Sequence, residues 1–349
     1  YLPQFHPDPL NDQAWGPGFT EWHNVARARP RRREHRQPRL PGELGFYDLR
    51  LPETRERQAE LAHRAGIDGF AYYHYWFGDG KRALQRPFDE VLQSGRPDLP
   101  FCLVWANHDW TTRTWSAAGR RPTRANIVSQ TYSTEDVDRH IEMLLPALQD
   151  ERAIHLEGHP VFAVFDAAAL PRSLRFPERL REAAAKAGLS GVHLVSMSDD
   201  DPEPLGFDAG VRSSKLLFKS GRSERLRSPG YLARRLTGRC LTVDYADITG
   251  EILNMPASSW RSHETIVTGW DDTPRRGPRR AVVVTGYSAA ALGDQARAAV
   301  RRLTEKDQDQ LLFVKSWNEW GEGNYLEPDA DDGTAAIEAL GSVLGQRDS

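Results

Sequence analysis

The feature that most limits the fold of this chain is an eightfold alternation of short apolar runs with helical stretches. Residues 1–5, 67–73, 100–106, 160–165, 192–197, 208–212, 265–269 and 311–315 are rich in β-branched or aromatic side chains and short enough to be buried strands. Between them, apolar residues recur at helical spacing and the segments have recognisable ends. Residues 52–65 open on Pro and stop before Gly66, and residues 177–187 close before Gly188. Residues 133–148 open Ser-Thr-Glu-Asp, placing acid at the positive end of a helix, and residues 289–303 are rich in Ala and Arg. Eight strands with intervening helices predict an α/β fold: a (β/α)8 TIM barrel over residues 1–349, a single domain with loop insertions at its C-terminal face. A doubly wound nucleotide-binding sheet needs a glycine-rich phosphate loop after an early strand. Neither G-x-G-x-x-G nor G-x-x-x-x-G-K-[ST] occurs. The Arg-, Pro- and Gly-rich stretch 219–238 reads as an insertion after the sixth strand.

At 349 residues, 39% apolar and 27% charged, the chain is long enough for one large globular domain. A net charge of −3 argues against a nucleic-acid partner. The basic residues are 40 Arg and six Lys, which reads as coding bias; the seven Arg between positions 27 and 39 read as a solvated loop. Cys102 sits in an apolar run as a small buried hydrophobe, and Cys240 lies far away, so this is no disulfide scaffold. No stretch approaches the roughly 18 apolar residues of a membrane span. The chain starts without Met, in what reads as the middle of a strand. A missing upstream segment and a soluble, cytoplasmic protein are the expectation, with the oligomeric state left open.

In a barrel, the residues that follow the strands meet at one face. After the first strand come His6 and the run Trp15–Trp22, which includes Glu21; after the second comes Tyr72-Tyr73-His74-Tyr75-Trp76-Phe77. The third ends Trp105-Ala106-Asn107-His108-Asp109-Trp110, and the seventh ends Gly269-Trp270-Asp271-Asp272. The eighth delivers Trp317-Asn318-Glu319-Trp320-Gly321-Glu322-Gly323. Most of the ten tryptophans therefore gather at strand ends, as flat platforms for sugar faces would. Glu319 and Glu322, three residues apart between Trp and Gly, have the composition of a carboxylate pair for glycosidic-bond chemistry. The spacing of His6, His74, Glu21 and Asp109 matches no metal-ligand pattern, so neither metal nor cofactor is expected.

Read in order, Tyr-Leu-Pro-Gln-Phe-His-Pro at 1–7, Trp-Gly-x-Gly-Phe-Thr-Glu-Trp at 15–22, Tyr-Trp-Phe at 75–77, Trp-Ala-Asn at 105–107, Gly-Trp-Asp at 269–271 and Trp-Asn-Glu-Trp-x-Glu-Gly at 317–323 resemble the WbsX-like group. That group is related to glycoside hydrolase family 99, the endo-α-mannosidases and endo-α-mannanases. His108 departs from it, standing where many members carry Glu. The resemblance implies a barrel that cleaves α-mannosidic linkages with retention of configuration and without a metal. It makes Glu319 the base on the sugar 2-hydroxyl and Glu322 the acid, through a 1,2-anhydro sugar. Substrate contacts are then expected from His6, Glu21, Trp22, Tyr73, Tyr75, Trp76, Trp105, Asn107, Trp110, Trp270, Asp271, Asn318 and Trp320, with an oligo- or polysaccharide as partner. WbsX-like proteins are also associated with polysaccharide synthesis. A glycosyltransferase, with Asp199–Asp201 or Asp329–Asp331 as a divalent-ion pair, is the alternative. A non-catalytic glycan-binding barrel is a third reading, and it has no need of both glutamates.

Overall fold

The structure, a computed structural model, describes residues 1–111, 126–212, 240–277, 281–305 and 309–345. Seven parallel strands run in spatial order Leu312–Lys315, Ser262–Val267, Ala209–Val211, His193–Ser196, His159–Val164, Phe101–Trp105 and Phe70–Trp76. The eighth place belongs to the N-terminal segment. The Tyr1 nitrogen donates to Ala71 O at 2.8 Å and the Tyr73 N–H donates to Tyr1 O at 2.9 Å, the stepped pattern of a parallel ladder. On its other side Leu2 meets a side chain. Asn318 Oδ1 accepts from the Leu2 N–H at 2.7 Å and its Nδ2 donates to Leu2 O at 2.9 Å. A primary amide carries one acceptor and two donors, so here it replaces a peptide unit in the ladder and closes the barrel.

The four anticipated helices form close to their expected bounds, as Pro52–Arg64, Thr134–Leu148, Phe176–Lys186 and Ala289–Thr304. Ser133 Oγ accepts from the Asp136 N–H and Ser288 Oγ from the Ala291 N–H, satisfying donors that a helix start leaves bare. A further helix, Ala335–Leu344, packs on both Ala289–Thr304 and Pro52–Arg64 and joins the ends of the helical ring. Its close approach needs glycine: a Cβ at Gly341 would stand 2.3 Å from Arg64 O.

Strand alternation divides the core in two. Ala71 and Tyr73 point inward with Cys102, Val104, Val161, Ala163, Val195 and Val211, an interior of small side chains. Phe70, Tyr72 and Trp76 point outward, into the larger layer beneath the helices. Cys102 behaves as expected: it is buried, and burial pushes its thiol up to about 12. Both cysteines are free thiols.

Two features depart from the sequence reading. The second strand starts at Phe70 and runs on to Trp76, because the aromatic residues expected in the loop are good strand formers. A second parallel pair, Leu241–Asp244 with Val282–Thr285, stands beside the barrel together with helix Tyr245–Leu253. The stretch 219–238 lies outside the described residues. No helix among the described residues is long and apolar enough to cross a membrane.

Candidate active site

Past the last barrel strand the chain forms a small antiparallel pair, Asn318–Glu319 with Asn324–Tyr325, joined by the turn Trp320–Glu322. Gly323 closes that turn at φ +56°, and a Cβ there would stand 2.9 Å from the Asp271 backbone nitrogen. The turn aims Glu319 and Glu322 at one guanidinium. Arg275 Nη2 lies 2.6 Å from Glu319 Oε1, and Nη1 lies 3.0 Å from Glu322 Oε1. Its Nε lies 2.9 Å from Glu21 Oε1. Three carboxylates, from the first loop and the last, thus share one cation. Gly321 makes room for them, since a Cβ would fall 2.3 Å from Glu21 Oε1 and 2.7 Å from Arg275 Nε. Gln4, at the end of the first stave, completes the shell by donating to Glu319 Oε1 at 2.8 Å.

Electrostatics separate the glutamates. Burial pushes the Glu319 carboxyl upward, to about 8; the Arg275 guanidinium opposes the shift, and the charges of Glu322 and Glu21 add to it. Glu319 is also the more enclosed of the pair, its side chain 7% exposed against 14% for Glu322. A general acid is favoured by enclosure, and here the more enclosed carboxyl is Glu319 rather than Glu322. Tyr73 and Tyr75 face this charge. Burial raises both hydroxyls, and negative charge on Glu319 and Glu322 adds to it.

Behind the pair, Trp320 stacks on Tyr325 at 3.7 Å and donates to Glu327 Oε2 at 2.6 Å. Glu327 also accepts from Tyr47 and Gln58, and burial pushes its carboxyl up to about 7. Trp22 packs on Trp320 and donates to Tyr47 O. Trp110 sits edge-on to Tyr75 at 4.9 Å. Asp271 donates its backbone N–H to Glu322 O at 2.6 Å, while its side chain accepts from His35, Gln37 and Thr273. Burial favours its neutral form, but those hydrogen bonds outweigh burial and hold the carboxyl low.

Other expected site residues are placed elsewhere. Trp76 stacks flat on His140 at 4.8 Å and donates to Asp136, both on helix Thr134–Leu148. Trp105 lies against His140 and Phe176 and donates to Trp76 O. Both rings belong to the outward faces of their strands and pack beneath helices, so the expectation that they line the cleft is corrected. Asn107 clasps the Asp166 backbone, with Oδ1 accepting its N–H and Nδ2 donating to its C=O, both at 2.8 Å. Asn318 holds Leu2 in the same way. Trp270 packs with Tyr245, Ile248 and Val284 beneath the second parallel pair. His6 is buried, which lowers its imidazole, and its charged surroundings are Asp8, Asp48 and Arg50. Asp329 is a turn clamp, accepting from the Tyr325 hydroxyl and the Asp331 and Asp332 N–H groups, and Arg36 holds Asp331 and Asp332. Asp201 accepts from the Glu203 N–H.

The sequence reading passed over Gln4, Arg275 and Glu327. Gln4 lies inside a motif already singled out, and Arg275 sits on the short helix Thr273–Arg276 directly after Gly-Trp-Asp-Asp. Position after a strand end was the available signal for Arg275, and arginine abundance masked it.

The strand order and its closure by the N-terminal segment define a (β/α)8 barrel, a fold shared with solved glycosidases. Similar solved structures include a family 99 endo-α-mannosidase from Bacteroides thetaiotaomicron, at TM-score 0.56 and 13% identity over 99% of this chain and 95% of that one. A glycoside hydrolase-like protein matches at TM-score 0.54 and 14% identity over 88% and 89%. The sequence profile described as glycosyltransferase WbsX matches residues 1–340, and the chain belongs to that family. It is 32% identical over 351 residues to the protein WxcX of Xanthomonas campestris pv. campestris, covering 99% of this chain. The chain spans about half, 49%, of that relative's length.

Proposed function

We propose that this chain is a retaining glycoside hydrolase cutting an α-linked, mannose-like glycan, with Glu319 and Glu322 as the working carboxylates. The observation that carries the reading is the single guanidinium spanning both groups at the C-terminal end of the last strand, opposite Tyr73 and Tyr75. Glu319 takes the proton of the sugar 2-hydroxyl, and that oxygen attacks the anomeric carbon as the glycosidic bond breaks. Glu322 protonates the departing oxygen. The resulting 1,2-anhydro sugar is opened by a water that gives its proton to Glu322, while O2 recovers a proton from Glu319. Two inversions at one carbon give net retention. Arg275 keeps Glu319 available as a base by opposing the burial that favours its neutral form.

The test is digestion of bacterial and fungal polysaccharides, α-mannans included, with products read by mass spectrometry and anomeric configuration by NMR. Shortened oligosaccharides of retained configuration are expected. A 2-fluoro substrate with a good leaving group should leave the protein unmodified; a stoichiometric ester on Glu319 would replace the anhydro route with double displacement. The family's description as a glycosyltransferase favours a second reading, sugar transfer from an activated donor. Transfer from nucleotide sugars, with no hydrolysis across the panel, would establish it instead.

A further inference from the structure

We propose that the arginine run tethered to the carboxylate cluster is a binding site for the anionic groups of an acidic glycan, one bearing uronate carboxylates or phosphodiesters. The proposal rests on the reading of the cleft as a glycan site and adds the charge class of the ligand. Arg27, Arg29, Arg31, Arg32 and Arg33 are all exposed, with Glu34 beside them, and none forms an ion pair with a described residue. Surface arginines elsewhere are paired in number: Arg36 holds Asp331 and Asp332, Arg57 holds Glu43 and Glu60, and Arg179 holds Asp138.

The run is not a loose loop, as its sequence suggests; it is pinned at both ends to the carboxylate cluster. Arg27 is the last residue of helix Trp22–Arg27, whose cap position is Glu21, the carboxylate on Arg275 Nε. At the other end the Arg31 N–H donates to His35 Nδ1 at 3.0 Å. His35 Nε2 lies 2.7 Å from Asp271 Oδ2, and the Asp271 N–H reaches Glu322 O at 2.6 Å. His35, Gln37 and Asp271 are buried, so this tether is rigid where the arginines are not covered. Glu21, Glu319 and Glu322 cannot neutralise the run, because Arg275 holds all three. Five cations are thereby held in one run, with Glu34 as the run's own acid and no ion pair to a described residue. Guanidinium forks match carboxylate and phosphate oxygens two at a time, and an acidic glycan threading the cleft supplies them.

Fluorescence polarisation of the whole chain with labelled oligogalacturonate, a mannose-phosphate oligomer and neutral oligomannose tests the site and separates carboxylate from phosphate sources. The acidic oligomers should bind more tightly than the neutral one at low salt and lose that advantage as salt rises. The R29Q/R31Q/R32Q/R33Q variant should keep the melting temperature and neutral binding but lose about tenfold or more toward the acidic oligomer, the scale of one lost charge-assisted hydrogen bond. R31K/R32K/R33K, which keeps the charge but loses the planar fork, should retain only part of it. Equal binding of acidic and neutral oligomers, or an unaffected glutamine variant, would each overturn the proposal. Binding is read without turnover. A chain that binds acidic oligomers but hydrolyses nothing sinks the hydrolase reading alone, while one that cuts neutral mannan and ignores acidic oligomers sinks this one.

Discussion

At the scale of single residues, the site turns on how one cation divides itself among three acids. Glu319→Gln and Glu322→Gln should each lower hydrolysis by about a hundredfold or more, the scale of lost general acid–base assistance. Measured together they should fall far short of additive, because they act as one unit. If Glu319 is the base, kcat/KM should rise with pH through the value to which burial pushes its carboxyl, about 8, as the ionised fraction grows. A rate that falls over that range would exchange the roles of the two glutamates. Arg275→Met removes the charge that opposes burial, so the same limb should move to higher pH. The variant should also lose about 3–5 kcal/mol of stability, the usual result of stripping a buried carboxylate of its partner. An unmoved pH limb would leave Arg275 a merely structural residue. The glutamates were legible because two Trp and two Gly frame them within seven residues. Arg275 was not, since one arginine among 40 carries little information. Asn107 and Asn318 were read as sugar contacts, yet an amide offers the same donor and acceptor to a sugar as to a peptide, and here each holds a peptide.

At the scale of elements, the strand period decides which aromatic rings reach the cleft. Along Phe70–Trp76 the side chains of Tyr73 and Tyr75 point toward Glu319 and Glu322, while Trp76 falls on the helix side. Trp76→Ala and Trp105→Ala should therefore cost about 3–5 kcal/mol of folding stability, as core truncations do. Glycan affinity per folded molecule should not change. A loss of affinity at an unchanged melting temperature would return these rings to the cleft. The sequence displays the aromatic run and its alternation, but not which of the two alternating sets faces the helices, because that depends on packing against helix Thr134–Leu148. Helix bounds were easier to read, since Pro52, Ser133 and Ser288 are local signals that need no distant partner. The pair Leu241–Asp244 and Val282–Thr285 depends on contacts about forty residues apart, which no local pattern announces.

For the whole molecule, buried titratable groups set opposing limits on stability. Burial holds His74 down to about 3 and His193 to about 4, so the unfolded chain takes up protons below its histidine range that the folded one refuses. Stability should fall as pH drops from about 6.5 toward 4. Glu327 and Asp272 are pushed up to about 7 and Glu319 higher, so the folded chain keeps protons that the unfolded one has released. Their contribution is fully present below the ordinary carboxylate range and is lost as pH climbs through 7 to 8. Melting temperature should decline from about 6.5 upward, and Glu327→Gln should flatten that decline. A melting temperature that rises over this interval would contradict the buried, proton-holding state of these acids.

The junction of the first and last staves has a kinetic meaning beyond its geometry. Leu2 is clipped by Asn318, and two residues on, Gln4 grips Glu319. When the hoop springs open at this buckle, the proposed base loses its amide in the same event. Transient breathing of the barrel and loss of catalytic competence would then be one equilibrium, observable from two sides. Deuterium uptake at the Tyr73 N–H, which reports the grip on Tyr1, should accelerate at the same denaturant concentration at which turnover begins to fail, well before global unfolding. If turnover persists while that amide exchanges freely, the buckle serves the fold alone.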